Sequence, residues 1–214
     1  MSVNLVSRRD FLSVVGVTLG ASVLKCSGLG NAATRVPVIE TPELVYGKDN
    51  SMDSRILVAY DTRSGSTVEV AKAIAEVLAA RGILVDVKPV KEKPKVDSYQ
   101  AVLVGSAIRF GAWLPEAVEF VKTNQAALNQ VPVAVFTTHI LNLGEDGQSR
   151  TNRLAYLAAV RPLLKPVAEV FFAGRLDPAK LSLVERLISR MVKAPEGDLR
   201  DWEKIRGWGQ IIFT

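Results

Sequence analysis

One segment restricts the fold of this 214-residue chain more than any other, the run ILVAYDTRSGSTVEVAKAIAEVL over 56–78. Ile56, Leu57 and Val58 open it as a continuous β-rich apolar run of the kind found in strands buried on both faces. A polar loop follows at once. Behind it Ala71, Ile74, Ala75 and Leu78 recur at i, i+3, i+4 and i+7, one face of a helix that can pack on a sheet. Ser66 with Glu69 fits a capping box at the helix start. A helix that begins just past the end of a strand favours an anion at its N-terminus.

The loop between them, Thr62, Arg63, Ser64, Gly65, Ser66 and Thr67, supplies hydroxyls, a flexible glycine and backbone N–H groups. It contains neither G-x-x-x-x-G-K-[ST] nor G-x-G-x-x-G, which argues against ATP and against NAD. It does resemble the T-x-[ST]-G-x-T phosphate loop of the flavodoxins, with Thr62, Ser64, Gly65 and Thr67 on the matching positions. The resemblance implies a seat for the monophosphate of FMN, to which Arg63 would add a cation.

Further strands are expected over 84–89, 101–106, 131–137 and 168–173. With strand order 2-1-3-4-5 the switch point falls between the first and third, so the loop 106–113 emerges beside the phosphate loop. There Gly105, Ile108, Arg109, Phe110 and Gly111 resemble the G-x-x-I-R-[YF]-G segment of the menaquinone-dependent protoporphyrinogen oxidases, a flavodoxin-like FMN family. Asp201, Trp202 and Glu203 resemble that family's terminal D-W-E helix, so the likeness runs from about residue 55 to the C-terminus.

That resemblance implies a flavodoxin-like α/β fold, a doubly wound five-stranded parallel sheet in a three-layer sandwich. It implies a flavin ring framed by Ser106, Ala107, Ile108, Arg109, Phe110 and Gly111 on one side and by Thr137, Thr138 and His139 on the other. Hydrogens or electrons would pass from a reduced donor such as a tetrapyrrole, through FMN, to a quinone. The family also carries a polar insertion after the fourth strand, matched in kind by 138–153, where a long loop at a pocket rim would act as a lid. A helix is expected to follow over about 154–164.

Individual side chains admit two readings. Arg109 is a cation that would stabilise the reduced, anionic ring and raise its potential, or a loop arginine over a buried aromatic. His139 is a candidate general base or a structural histidine. Trp113 either stacks on the ring or belongs to the core. A helix over 182–193 carries Leu183, Leu187, Ile188 and Met191 on one side and Arg186, Arg190 and Lys193 on the other. Its simpler reading is a core-packed helix with a solvated basic face, and the other is contact with membrane or quinone.

One cysteine, Cys26, and one histidine exclude an internal disulfide, a Cys-ligated iron–sulfur cluster and a multi-histidine metal site within the chain. No Ser-His-Asp, Cys-His or paired-carboxylate pattern points to hydrolysis. Redox chemistry here needs an organic cofactor. The formal charge of +5 fits an anionic membrane surface or an acidic redox-protein partner, and no aromatic-interleaved basic motif points to nucleic acid.

Residues 1–32 resemble a twin-arginine export signal, with Arg8 and Arg9 before Phe11, Leu12 and an apolar run to Leu24 that is short for a membrane span. Residues 30–32 offer a small-residue cleavage site, and Cys26 is an alternative lipidation site although Lys25 departs from that pattern. Residues 33–53 read as a tether and 54–214 as the folded domain. Export leaves open a membrane-associated electron carrier without a small-molecule substrate. It also leaves a partner-binding domain that has lost FMN, against which the hydroxyls around Gly65 speak.

Overall fold

The computed structural model describes residues 39–48 and 54–214. Its sheet is built from β1 (Leu44–Tyr46), β2 (Arg55–Asp61), β3 (Leu84–Pro89), β4 (Ala101–Arg109), β5 (Ala112–Trp113), β6 (Val133–His139) and β7 (Ala168–Ala173). The order β3-β2-β4-β6-β7 is all parallel and matches the expected 2-1-3-4-5. β1 adds an antiparallel edge strand, Leu44 opposite Val87 and Tyr46 opposite Val85, inside the stretch expected to be only a tether. The leader and Cys26 lie outside the described residues.

Strand alternation makes the sandwich. Along β2, Ile56, Val58 and Tyr60 enter one core while Leu57 and Ala59 enter the other. On the first face lie helix α1 (Ser66–Ala80), with Val70, Ile74 and Leu78 fully buried, and the C-terminal helix α6 (Trp202–Ile211), with Ile205 fully buried. On the second lie α2 (Pro115–Thr123) and α3 (Gln125–Leu128), whose Phe120 and Leu128 close over Val102 and Val104. Pro115 stands at the first helical turn as expected.

Helix α4 (Gly147–Ala155) begins earlier than the expected 154–164, because Asp146 accepts a hydrogen bond from the Ser149 N–H and caps it. After it the chain runs on in tight turns through 164, with Tyr156 N–H bonded to the Arg153 carbonyl and Leu157 N–H to that of Leu154. Past β7, a short antiparallel pair, β8 (Arg175–Leu176) and β9 (Gly197–Asp198), closes the base of an excursion that carries helix α5 (Leu183–Met191). Arg200, with its side chain 3% exposed, pins that base to α1 by pairing with Glu69 and with Asp198. Among the described residues, no helix is long and apolar enough to cross a membrane.

Candidate functional site

At the C-terminal ends of the strands, where β2 and β4 send their loops to opposite faces, a cleft of about 510 Å³ opens. This is the switch point of the sheet, and the volume falls in the ~300–1,000 Å³ range of small-molecule sites. It runs from Arg63, Ser64 and Ser66, past the β4–β5 hairpin, to the chain after β6, with α5 as its roof.

The phosphate-loop end differs from the expected capping box. Gly65 is the N-cap of α1, at φ 86°, a left-handed conformation that favours glycine, and no side chain caps the helix. Ser66 Oγ instead accepts the Arg175 N–H at 2.9 Å, and Glu69 pairs with Arg175 at 2.8 Å. The capping box is lost because its two side chains are drawn to the β8 strand. The helix N-terminus is left open to an external anion. Thr62 Oγ1 accepts the Gly65 N–H at 3.1 Å and so shapes the loop from within. Arg63 is paired with Glu116 at 2.8 Å. Lys180, which the sequence reading missed, also lines the cleft, its Nζ beside the backbone of Gly65.

The second wall is a hairpin. Strand β4 runs three residues beyond its expected end, and Ile108 and Arg109 pair with Trp113 and Ala112 of β5. The turn residues Phe110 and Gly111 both have positive φ, 52° and 72°, the signature of a type I′ turn. Phe110 pays strain there that glycine would not, a cost typical of residues held at ligand sites. Arg109 lies over the Phe110 ring, 5.0 Å from its centroid, and pairs with Glu185 of α5 at 2.8 Å.

The third wall follows β6. His139 is buried, and its Nδ1 is 2.7 Å from the Leu141 carbonyl oxygen. Burial pulls its pKa down to about 4, against a smaller upward pull from the Leu141 bond. A neutral ring with its Nδ1 proton on the Leu141 carbonyl suits the structural reading of His139, and Nε2 remains the one ring nitrogen able to take a proton. The segment expected to be a lid is a folded wall. Arg153 donates to the carbonyls of Asn142 and Gly144, and Asn142 donates to the Tyr156 hydroxyl at 2.6 Å.

Ten of the expected ring and phosphate residues line the cleft: Arg63, Ser64 and Ser66, then Ala107, Ile108, Arg109, Phe110 and Gly111, then Thr138 and His139. Thr67 lies beneath the loop, its hydroxyl 2.7 Å from that of Thr138. Ser106 and Thr137 point toward the α2 layer instead. Ser106 Oγ accepts the Leu114 N–H at 3.0 Å, and Thr137 Oγ1 accepts the Trp113 indole N–H at 2.9 Å. Trp113 is thereby committed to the core and does not stack on a ring in the cleft. Asp61, which the sequence reading passed over, ends β2 with an unpartnered buried Oδ2. Burial, with Glu116 nearby, raises its pKa to about 6.

The fifth helix is not core-packed. None of its residues is buried. Glu185, Ile188 and Ser189 face the cleft, whereas Leu183, Val184, Leu187 and Met191 are exposed.

The Flavodoxin domain family matches residues 57–202. The chain is similar to the Protoporphyrinogen IX dehydrogenase (quinone) of Escherichia coli strain K12, 27% identical over 170 residues that cover 74% of this chain and 94% of that protein. The protein of the same name from Leishmania major is 24% identical over 169 residues, covering 77% and 71%. Among solved structures, oxidised Flavodoxin 1 from Bacillus cereus aligns with a TM-score of 0.46 at 14% identity, over 73% of this chain and 95% of that one. The family match brings FMN with it as cofactor. The residues present fit that group. The open N-terminus of α1 with Lys180 suits a phosphate, and the walls at Ala107, Ile108, Gly111 and Ile140 suit a flat apolar ring.

Proposed function

From a chain that belongs to the Flavodoxin domain family, we propose an FMN-dependent oxidoreductase that accepts hydrogens from a reduced donor of tetrapyrrole type and delivers electrons to a quinone. The observation that supports this reading is the shape of the cleft. Beyond the hairpin it continues under α5 along Leu181, Ile188, Val192 and Ala194, giving apolar room beside the ring-binding walls. A carrier that meets only protein partners needs no such chamber. The names of the relatives from E. coli and L. major agree with it.

In this reading the flavin supplies the two-electron chemistry, and the protein supplies binding and electrostatics. The α1 N-terminus and Lys180 hold the phosphate. The hairpin orients the ring, and Arg109 places a guanidinium at its wall, partly neutralised by Glu185. His139 and Tyr156 close the far side and exclude water. Export by the twin-arginine route, read from Arg8 and Arg9, would set this chemistry on the outer face of the cytoplasmic membrane.

The test is direct. The purified chain is incubated with excess FMN, desalted and examined by visible absorption, then mixed anaerobically with a reduced porphyrinogen and a soluble quinone. Retained flavin bands and donor-dependent quinone reduction are expected. Retained flavin that cycles one electron at a time with protein partners, and passes nothing to a quinone, would leave the electron carrier instead.

A further inference from the structure

Helix α5 has three chemically distinct faces. At 3.6 residues per turn, Glu185, Ile188, Ser189 and the following Val192 share the side that roofs the cleft. Leu183, Val184, Leu187 and Met191 share a second side, with exposures of 61%, 67%, 59% and 53%. Arg186 and Arg190 lie between the two, along one flank of the apolar stripe, with Arg186 Nε donating to the Pro178 carbonyl at 3.1 Å, and Lys193 follows just past the helix end at φ 51°. Four large apolar side chains turned to water on a nine-residue helix make a contiguous patch with no intramolecular partner among the described residues, and such patches mark interaction sites.

We propose that the outer face of α5 docks the protein on an anionic lipid bilayer, with the leucines and methionine entering the headgroup–acyl boundary and the three cations meeting lipid phosphates. The choice of a bilayer over a protein partner comes from the arrangement of charge. A lone cationic flank beside a narrow apolar stripe, with no acidic side chain on the outward face, is the pattern of helices that lie in a membrane interface. The chain's overall charge of +5 works in the same direction.

The helix is braced for such a load. A capping box closes its N-terminus, Ser182 with Glu185, the β8–β9 pair and Arg200 fix the base of the excursion to α1, and the Arg109–Glu185 ion pair ties it to the hairpin. Because the same helix carries the cleft on its inner side and the patch on its outer side, docking would set the chamber within a helix diameter, about 10 Å, of the lipid. A lipid-dissolved quinone would then reach it without crossing bulk water. That purpose rests on the proposed function, but the docking itself does not and is measured without flavin or substrate.

The full chain, with Cys26→Ser, receives an environment-sensitive fluorophore at Leu187→Cys. A second sample carries it at Ser98→Cys, an exposed position before β4 and so at the opposite end of the strands from the cleft. Both are mixed with vesicles of phosphatidylcholine, with and without a third of phosphatidylglycerol. The expected result is a blue-shifted, brightened signal at 187 alone, quenched by lipids spin-labelled near the headgroup. Affinity should be at least about tenfold higher on the anionic vesicles and should fall with salt. Leu183→Gln with Leu187→Gln, both exposed and so harmless to folding, should weaken sedimentation with both kinds of vesicle, whereas Arg190→Gln with Lys193→Gln, likewise exposed, should remove the anionic preference.

Three results would each overturn the proposal. The first is a chain that sediments with vesicles while the 187 probe stays in water, which would assign binding to another segment. The second is a 187 shift that grows with protein concentration in the absence of lipid, which would assign the patch to a second copy. The third is equal affinity for neutral and anionic vesicles. Quinone reduction is assayed separately with a water-soluble quinone, so loss of docking and loss of the oxidoreductase are told apart.

Discussion

Lys180 Nζ stands 3.9 Å from the point at which a side chain on Gly65 would begin. The lysine therefore reaches from the excursion beyond β8 back to the first loop of the domain. It meets the uncapped N-terminus of α1 where an anion is favoured, and Arg63, the cation read from sequence, is already engaged with Glu116. Lys180→Ala should weaken FMN binding about tenfold, the order expected for one charge-assisted hydrogen bond. Riboflavin, which lacks the phosphate, should bind both proteins equally. Fluorescence-quenching titrations at low and high salt check this, and unchanged FMN affinity would remove the lysine from the site.

The Arg109–Glu185 pair sets the electrostatics at the ring wall. Glu185→Gln leaves the guanidinium uncompensated and should raise the potential of bound FMN. Arg109→Gln leaves the carboxylate alone and should lower it. For half-exposed groups the change is on the order of 20–40 mV in each direction. Spectroelectrochemical titration of both variants decides it, since shifts of the same sign would show that the pair acts only as a strut.

Gly105 faces Phe136 across β4 and β6, and a Cβ there would come within 2.0 Å of the phenyl Cζ. Both residues are held by the parallel register, so neither can step aside. Gly105→Ala should cost about 3 kcal/mol, the upper range for overpacking. Adding Phe136→Leu should recover part of that loss. Denaturant unfolding of the single and double variants measures it.

Much of this was legible in the chain. The apolar runs named five strands, because buried parallel strands leave continuous hydrophobic signals, and the flavodoxin resemblance of the loop after Val58 implied their order. The ring-contacting hairpin was legible only as a motif, and its extension through Arg109 depends on Gly111 accepting positive φ. Ser106 and Thr137, expected at the ring, turn their side chains away from the cleft. Alternation along β4 and β6 puts both on the α2 side with Val104 and Val135, so period two already carried the answer. The Ser66–Glu69 capping box was a sound local pattern overridden by Arg175 and Arg200, more than 100 residues away in sequence, and no local rule reveals such partners. Lys180 was invisible for the same reason. For α5, helical periodicity was clear, but which face lay inward depended on the cleft.

Two buried titratable groups pull stability in opposite directions with pH. His139, lowered from 6.5 to about 4 chiefly by burial, takes up its proton more readily when unfolded, so stability falls as pH drops from 6.5 toward 4. That loss approaches about 3 kcal/mol at the acid end. Asp61, raised from 3.8 to about 6 by burial and then by Glu116, holds its proton more tightly when folded. Stability therefore rises as pH drops through 6 toward 3.8, by about 1–2 kcal/mol after allowance for partial exposure. The two slopes partly offset each other in the wild-type protein between pH 6 and 4, leaving a net loss on acidification. Asp61→Asn should stabilise the domain at neutral pH by about 1–2 kcal/mol and expose the full acid loss set by His139. His139→Gln should do the reverse, leaving a protein that gains stability on mild acidification. Urea unfolding of the three proteins at neutral pH and near pH 5 separates them, and parallel pH slopes would show that neither group titrates as its surroundings dictate.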